Sequence, residues 1–217
     1  MSKLTWDGTG ERYFETGVSN GVIYPKVSGA YPLGHAWNGL VGVTEKPSGG
    51  EPNAKYADNI KYLNLMSDEE FEATIEAYTY PEAFAICEGS VELATGVRAA
   101  QQVRKEFGLV YKTRIGNDED ADDKGYKLHL VYGAMASPSE KSYETVNETP
   151  DAITFSWDIT TTPEAVTGKK PTAHIVIDST LADADDLAAF ELVLFGDTET
   201  DPNLPLPDAV ATAFAAG

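Results

Sequence analysis

Residues 68–77 alternate with a period of two: Phe71, Ala73, Ile75 and Ala77 fall on one side, Glu70, Glu72 and Glu76 on the other. This is the pattern of a strand with one packed and one solvated face. Tyr80-Pro81 ends it, since proline cannot donate to a ladder and moves its predecessor out of helical geometry. Pro81 suits the first turn of a short helix over 82–88, which Gly89 closes. Similar signals predict strands at 12–16 and 18–24, around a break at Gly17, and at 36–44. Extended structure resumes over 54–66 on Tyr56, Ile60, Tyr62 and Leu63. Farther on, Phe107, Leu109, Tyr111 and Thr113 alternate with Gly108, Val110, Lys112 and Arg114. Tyr126, Leu128, Leu130 and Tyr132 alternate with Lys127, His129 and Val131. Both segments read as strands with one packed face and one cationic or mixed face, joined as a hairpin through the acidic stretch 116–125. Segments 141–147, 152–161 and 172–178 supply further strands. Many short strands separated by turn signals predict a mainly β fold, an antiparallel sandwich or barrel with one short internal helix.

Two stretches depart from that rhythm. Glu45, Lys46, Pro47, Ser48, Gly49, Gly50, Glu51, Pro52 and Asn53 form a polar, Pro/Gly-rich run that reads as a loop without strand structure. At the other end, Thr180 is a candidate helix cap with Asp183 three residues on, and Asp185 and Asp186 favour the first turns. Leu187, Phe190, Val193 and Leu194 give that helix an apolar stripe, and Gly196 stops it. Residues 197–207 are acidic and proline-rich, as in an extended arm, and 208–216 form a weak helix. The chain therefore divides into a β domain over 1–196 and a C-terminal arm over 197–217, which is expected to add little to the core and to need a partner.

Charge narrows the function. Thirty-five acidic against 16 basic residues leave a formal net charge of −19 over 217 residues. Binding nucleic acid by counterion release needs clustered lysine and arginine, so that class is disfavoured. The surface is read either as a solubilising coat or as one that stays near DNA without adhering. No apolar run approaches the ~20 residues of a membrane span, and the opening residues lack the apolar stretch of a secretory signal. Cys87 is the single cysteine, which excludes an intrachain disulfide and suits a reducing cytoplasm. Among Phe84, Ala85 and Ile86 it is expected to be buried and inert. Asn147-Glu-Thr149 matches a glycosylation acceptor, which has no meaning without secretion.

Candidate chemistry is sparse. Asp118, Asp120 and Asp122 imitate the start of a calcium loop, but Asp123 stands where a glycine is needed and His129 where a bidentate glutamate is needed. A solvated tip is expected at 117–125. His35, His129 and His174 lie far apart with no ligand spacing, so no zinc is expected. There is no Gly-x-Ser-x-Gly elbow, and Gly8-Thr-Gly10 lacks the rest of a dinucleotide loop. Glu70, Glu72 and Glu76 could in principle act as a glycosidase acid–base pair, yet this many acids place some together by chance. No catalytic residue, metal or cofactor is expected.

Longer wording carries more. Glu-Ala-Tyr-Thr-Tyr-Pro-Glu-Ala-Phe (76–84), Gly-Leu-Val-Tyr-Lys-Thr-Arg-Ile-Gly-Asn-Asp (108–118), Tyr-Lys-Leu-His-Leu-Val-Tyr-Gly-Ala-Met-Ala-Ser-Pro (126–138), Ile-Thr-Phe-Ser-Trp-Asp-Ile-Thr-Thr-Thr-Pro (153–163) and Leu-Pro-Leu-Pro-Asp (204–208) occur in this order. Together they resemble the major tail, or tail tube, proteins of long, non-contractile-tailed bacteriophages, over most of the chain from about Ala30. The resemblance implies rings of six copies stacked into a hollow conduit through which genomic DNA passes without specific binding. It implies assembly in the host cytoplasm, residence in the virion, and contacts with tape measure, tail terminator and distal tail proteins. Glu70, Glu72 and Glu76 are then candidates for the lumen, and 45–53 for the loop reaching the next ring. The alternative is a virion-associated carbohydrate- or host-binding β-sandwich, whose Tyr and Trp would stack on sugars.

Overall fold

The computed structural model describes residues 4–146 and 151–215. Among the described residues it is mainly β and antiparallel, with no closed barrel, consistent with a β-sandwich. The elements in chain order are β1 (Phe14–Pro25), β2 (His35–Trp37), β3 (Leu40–Glu45), β4 (Ser48–Gly49), β5 (Pro52–Ala57), β6 (Ile60–Met66), β7 (Glu69–Glu70) and β8 (Glu72–Ala77). A 3-10 turn (Glu82–Phe84) leads into α1 (Ala85–Glu88). Then come β9 (Val91–Ala94), β10 (Val97–Ala99), β11 (Phe107–Asn117), β12 (Ala121–Ala136), β13 (Phe155–Thr161), β14 (His174–Asp178), α2 (Ala184–Phe195) and α3 (Pro207–Ala213).

The main sheet runs β2-β1-β11-β12-β13-β8-β3, with β14 also paired to β12. The segment 36–44, expected as one strand, is cut at Asn38–Gly39, where Gly39 takes φ 74°. Its halves, β2 and β3, lie at opposite ends of the sheet path although two residues apart in the chain. The sheet must therefore curl until its ends face each other. Gly17 bulges rather than breaks β1, which remains one strand with register shifts between Thr16 and Val22.

Strand β12 serves two partners on one edge. Residues 127–131 pair with β14, and residues 134–136 pair with β13. Gly133 sits between the two ladders at φ 56°. A Cβ there would lie 2.1 Å from the Thr162 carbonyl oxygen, so only glycine permits the change of partner.

Curling creates two apolar layers. Ile23, Trp37, Ile75, Phe84, Phe107, Trp157 and Ile159 fill the inside of the curl, with Cys87 fully buried among them. The outer face of the central strands carries Tyr24, Val110, Leu128, Leu130 and Tyr132, covered by Leu187, Phe190 and Leu194 of α2. Residues 107–111 and 128–134 are consequently buried on both faces. The expected cationic face exists only toward the hairpin end, at Lys112 and Arg114, because helices roof the rest.

The C-terminal segment also departs from expectation. Asp183, not Thr180, caps α2, its side chain accepting from the amides of Asp185 and Asp186. Past Gly196 the chain lies on the outer layer. Leu204 is 2% exposed, and Pro207 and Val210 are buried. The Leu204 amide donates to the Tyr31 carbonyl at 3.1 Å, Asn203 to Val193 at 2.9 Å, and the Tyr132 hydroxyl to Pro205 at 3.0 Å. Apolar side chains at 204, 207 and 210 make docking more favourable than solvation, which an acidic, proline-rich composition conceals. Residues 141–146, expected in a strand, are irregular. Residue 147, with the rest of the acceptor pattern, lies outside the described residues, as does 216.

Candidate functional site

Three features are candidates, and the first is an arm that leaves the packed body. Its root is a two-residue ladder, Ser48 with Glu70 and Gly49 with Glu69. Strands β5 and β6 continue as a separate hairpin whose turn, Asp58–Asn59, has φ 51° and 65°. Positive φ at both central positions matches the right-handed twist of paired strands. The run 45–53 is thus not a structureless loop: Glu45 ends β3, Ser48 and Gly49 form β4, and Pro52 and Asn53 begin β5. Tyr56, Ile60, Tyr62, Leu63, Leu65 and Met66 all stand in solvent, Tyr56 at 72% exposure and Met66 at 70%. Two strands without a covering layer are marginal on their own, and a cluster of exposed apolar side chains of this kind marks a docking surface.

The second feature is the carboxylate face. Ala73, Ile75 and Ala77 are buried as expected, and Phe71 is half-buried against the inner layer. On the opposite face Glu76 is exposed, while Glu72 is half-buried and accepts from the Ser48 hydroxyl at 2.9 Å. Glu70 is separated from them, since it belongs to the root of the arm. Across the ladder Asp158 pairs with Thr74, whose hydroxyl donates to it at 2.5 Å, and Lys46 lies 3.7 Å from the same carboxylate. The acidic row therefore runs across strands, from Glu72 and Glu76 to Asp158.

The third feature was not legible in the sequence. In the β12–β14 ladder His129 faces Val176 and Val131 faces His174, so the two histidines are diagonal neighbours on one face. His129 Nδ1 lies 3.2 Å from His174 Nε2. Because the sheet curls, Glu45 arrives from β3, its Oε1 3.5 Å from His129 Nδ1 and 4.0 Å from His174 Nε2. The Tyr111 hydroxyl donates to the same Oε1 at 2.7 Å, and its ring stacks on His129 at 4.5 Å. Thr113 Oγ1 meets the other nitrogen of His129 at 3.0 Å, and Phe71 lies against His174 at 4.5 Å. Burial, then the neighbouring His174, holds His129 down at about 4, against the pull of Glu45. Burial likewise lowers His174. Both rings are neutral at physiological pH, the form that offers a lone pair.

The remaining candidates are apart. The acids of the β11–β12 tip are engaged separately: Asp118 with Arg12, Asp120 with Lys124, Asp122 with Arg114. Cys87 is fully buried, and burial pushes its thiol up to about 12. His35 sits on β2, away from the other two histidines. Among the described residues no helix is long and apolar enough to cross a membrane.

No protein-family model matches the chain, and no curated protein matches it. Among solved structures, one chain of an extracellular contractile injection system, the PVC sheath–tube complex in its extended state, is similar at 11% identity. The likeness covers 73% of this chain and 88% of that one with a TM-score of 0.32, a level that carries no argument about function.

Proposed function

We propose that this protein is a structural subunit that polymerises through its arm into stacked rings, forming a tail tube of the phage type. The observation that carries the reading is the β5–β6 hairpin, whose exposed apolar side chains extend beyond a two-residue root. A second copy is the occupant that suits it, since the tail tube resemblance read from the sequence implies ring-to-ring contact through 45–53, the run that leads into this hairpin. In that arrangement six copies close a ring, and tape measure, terminator and distal tail proteins meet its ends.

The acidic balance supports a conduit. Carboxylates facing a bore within about one Debye length, ~8 Å at physiological salt, repel phosphates and let a duplex slide. Glu72, Glu76 and Asp158 form the row to place there, with Glu70 beside the arm. The reading assigns the chain no catalytic step and locates it in the virion after assembly in the host cytoplasm.

Negative-stain microscopy with sedimentation velocity of the purified full chain, over a range of concentrations, tests the reading. Rings or tubes of uniform bore are expected. A monomer at every concentration, also when mixed with tail initiator and tape measure proteins, refutes it.

A further inference from the structure

We propose that Glu45, His129 and His174 form a Zn2+ site that fastens the root of the arm to the centre of the sheet. The inference is independent of ring assembly, because every ligand comes from one chain.

Geometry makes the case. The three donor atoms form a triangle with sides of 3.2, 3.5 and 4.0 Å. The circle through such a triangle has a radius of about 2.1 Å, within the ~2.0–2.2 Å of zinc–nitrogen and zinc–oxygen bonds. An ion at its centre contacts all three without moving a strand. A slight contraction of the triangle lifts the ion out of plane and leaves a fourth, tetrahedral position. Glu45 is 39% exposed at the side chain, so water reaches that position.

The outer contacts fit as well. A metal-bound histidine characteristically donates its other N–H to an oxygen, which fixes tautomer and ring orientation. Thr113 Oγ1 is placed to accept from His129 Nε2, leaving the Nδ1 lone pair aimed at Glu45 and His174. The Tyr111 hydroxyl bonds the ligating carboxylate oxygen itself. Two imidazoles and one carboxylate suit a borderline metal such as zinc and are too few oxygens for calcium or magnesium.

Position supplies the consequence. Glu45 is the last residue of β3, immediately before the arm, and Phe71, which lies on His174, immediately follows β7. Both ends of the arm therefore meet at this cluster. A bound ion ties them to β12 and β14.

The test uses the full chain, stripped with chelator, desalted, and equilibrated with Zn2+ in excess Mg2+. One Zn2+ retained per chain is expected, unchanged in His35→Gln and lost in His129→Gln/His174→Gln. Thr113→Val keeps the volume and all three ligands, and should weaken binding about 10–100-fold. Co2+ in place of Zn2+ should give the intense visible absorption of a four-coordinate ion, and Zn2+ should slow amide exchange at Ser48, Gly49, Glu69 and Glu70. Equal Zn2+ retention by wild type and double variant overturns the site. Should the double variant not fold, a six-coordinate Co2+ spectrum in the wild type, or undiminished binding in Thr113→Val, overturns it. Unchanged exchange at the root overturns the fastening.

Discussion

Replacing Leu204 by alanine removes three carbons from a position 2% exposed. At ~0.8 kcal/mol per buried methylene the transfer loss is about 2.4 kcal/mol, and the cavity left behind brings the total to roughly 3–5 kcal/mol. Collapse around the vacated space is restricted. The Leu204 backbone is bonded to Tyr31, and a methyl of the side chain stands where a Cβ on Gly108 would be 2.4 Å away. For a chain of this size each kcal/mol moves the melting temperature by about 2–4 °C, so a loss of roughly 6–20 °C is expected. The assay is thermal unfolding of the monomer followed by near-UV circular dichroism, with Leu206→Ala as control. Leu206 is 41% exposed and should cost only about 1.4 kcal/mol by the same area argument, with no cavity to add. Truncation after Gly196 should be at least as damaging as Leu204→Ala. Equal, small shifts for Leu204→Ala and Leu206→Ala would show that 197–215 does not rest on the outer layer in solution.

Tyr56→Ser/Tyr62→Ser should leave the monomer's melting temperature within about 1 °C, since both side chains are solvent-exposed, and abolish the stacking of rings in sedimentation velocity; undisturbed stacks exclude the hairpin from the contact. In metal-free protein, the neutral, buried His129 contributes stability present above its unfolded pKa of 6.5 and lost as pH falls toward about 4, on the order of 3 kcal/mol in all. Urea titrations at pH 7 and pH 5 should show a drop that His129→Gln reduces; identical drops place the titrating group elsewhere. Gly133→Ala should cost more than about 2 kcal/mol, because it adds a backbone clash to a positive φ, whereas Gly17→Ala, with open space around it, should cost about 1; equal melting temperatures would remove Gly133 from its role as pivot. Glu70, Glu72 and Glu76 changed together to lysine should leave the apolar side of β8 and the melting temperature little altered, while virions carrying the change eject DNA more slowly at low salt; unchanged kinetics place the row outside the bore.

The local code was strong where side chains answered only to their own element. The alternation over 71–77, the helical turn opening after Pro81, the stop at Gly89 and the stripe of Leu187, Phe190 and Leu194 all reappear in the structure, although β8 already ends at Ala77. What pattern alone could not give was which faces would meet. Val110 is apolar on a face that looked mixed because Lys112 and Arg114 share it, and only the docking of α2 over Val110, Leu128 and Leu130 reveals a second layer. The histidine cluster is the extreme case. Its members come from β3, β12 and β14, and Glu45 reaches the others only because Asn38–Gly39 sends β3 around the far side of the curl. His129 fell on the face read as mixed, between Lys127 and Val131, so the pattern did not mark it. The polar run 45–53 misled because serine and glycine are poor strand formers, and only pairing with the equally unpromising Glu69–Glu70 holds them extended.

The order in which these pieces can form follows from who pairs with whom. The β5–β6 hairpin closes a two-residue turn between neighbours in the chain, an event of about 1–10 μs. The body waits for distant partners: Phe14 must find Gly116, and Ala77 must find Phe155. Sheets dominated by such pairings fold in milliseconds to seconds. On a nascent chain, the exposed apolar hairpin can therefore form transiently long before the scaffold that orients it. Premature association is the hazard of that timetable, and the −19 charge carried by every copy is a repulsion that acts from the first moment, before any fold exists to direct it.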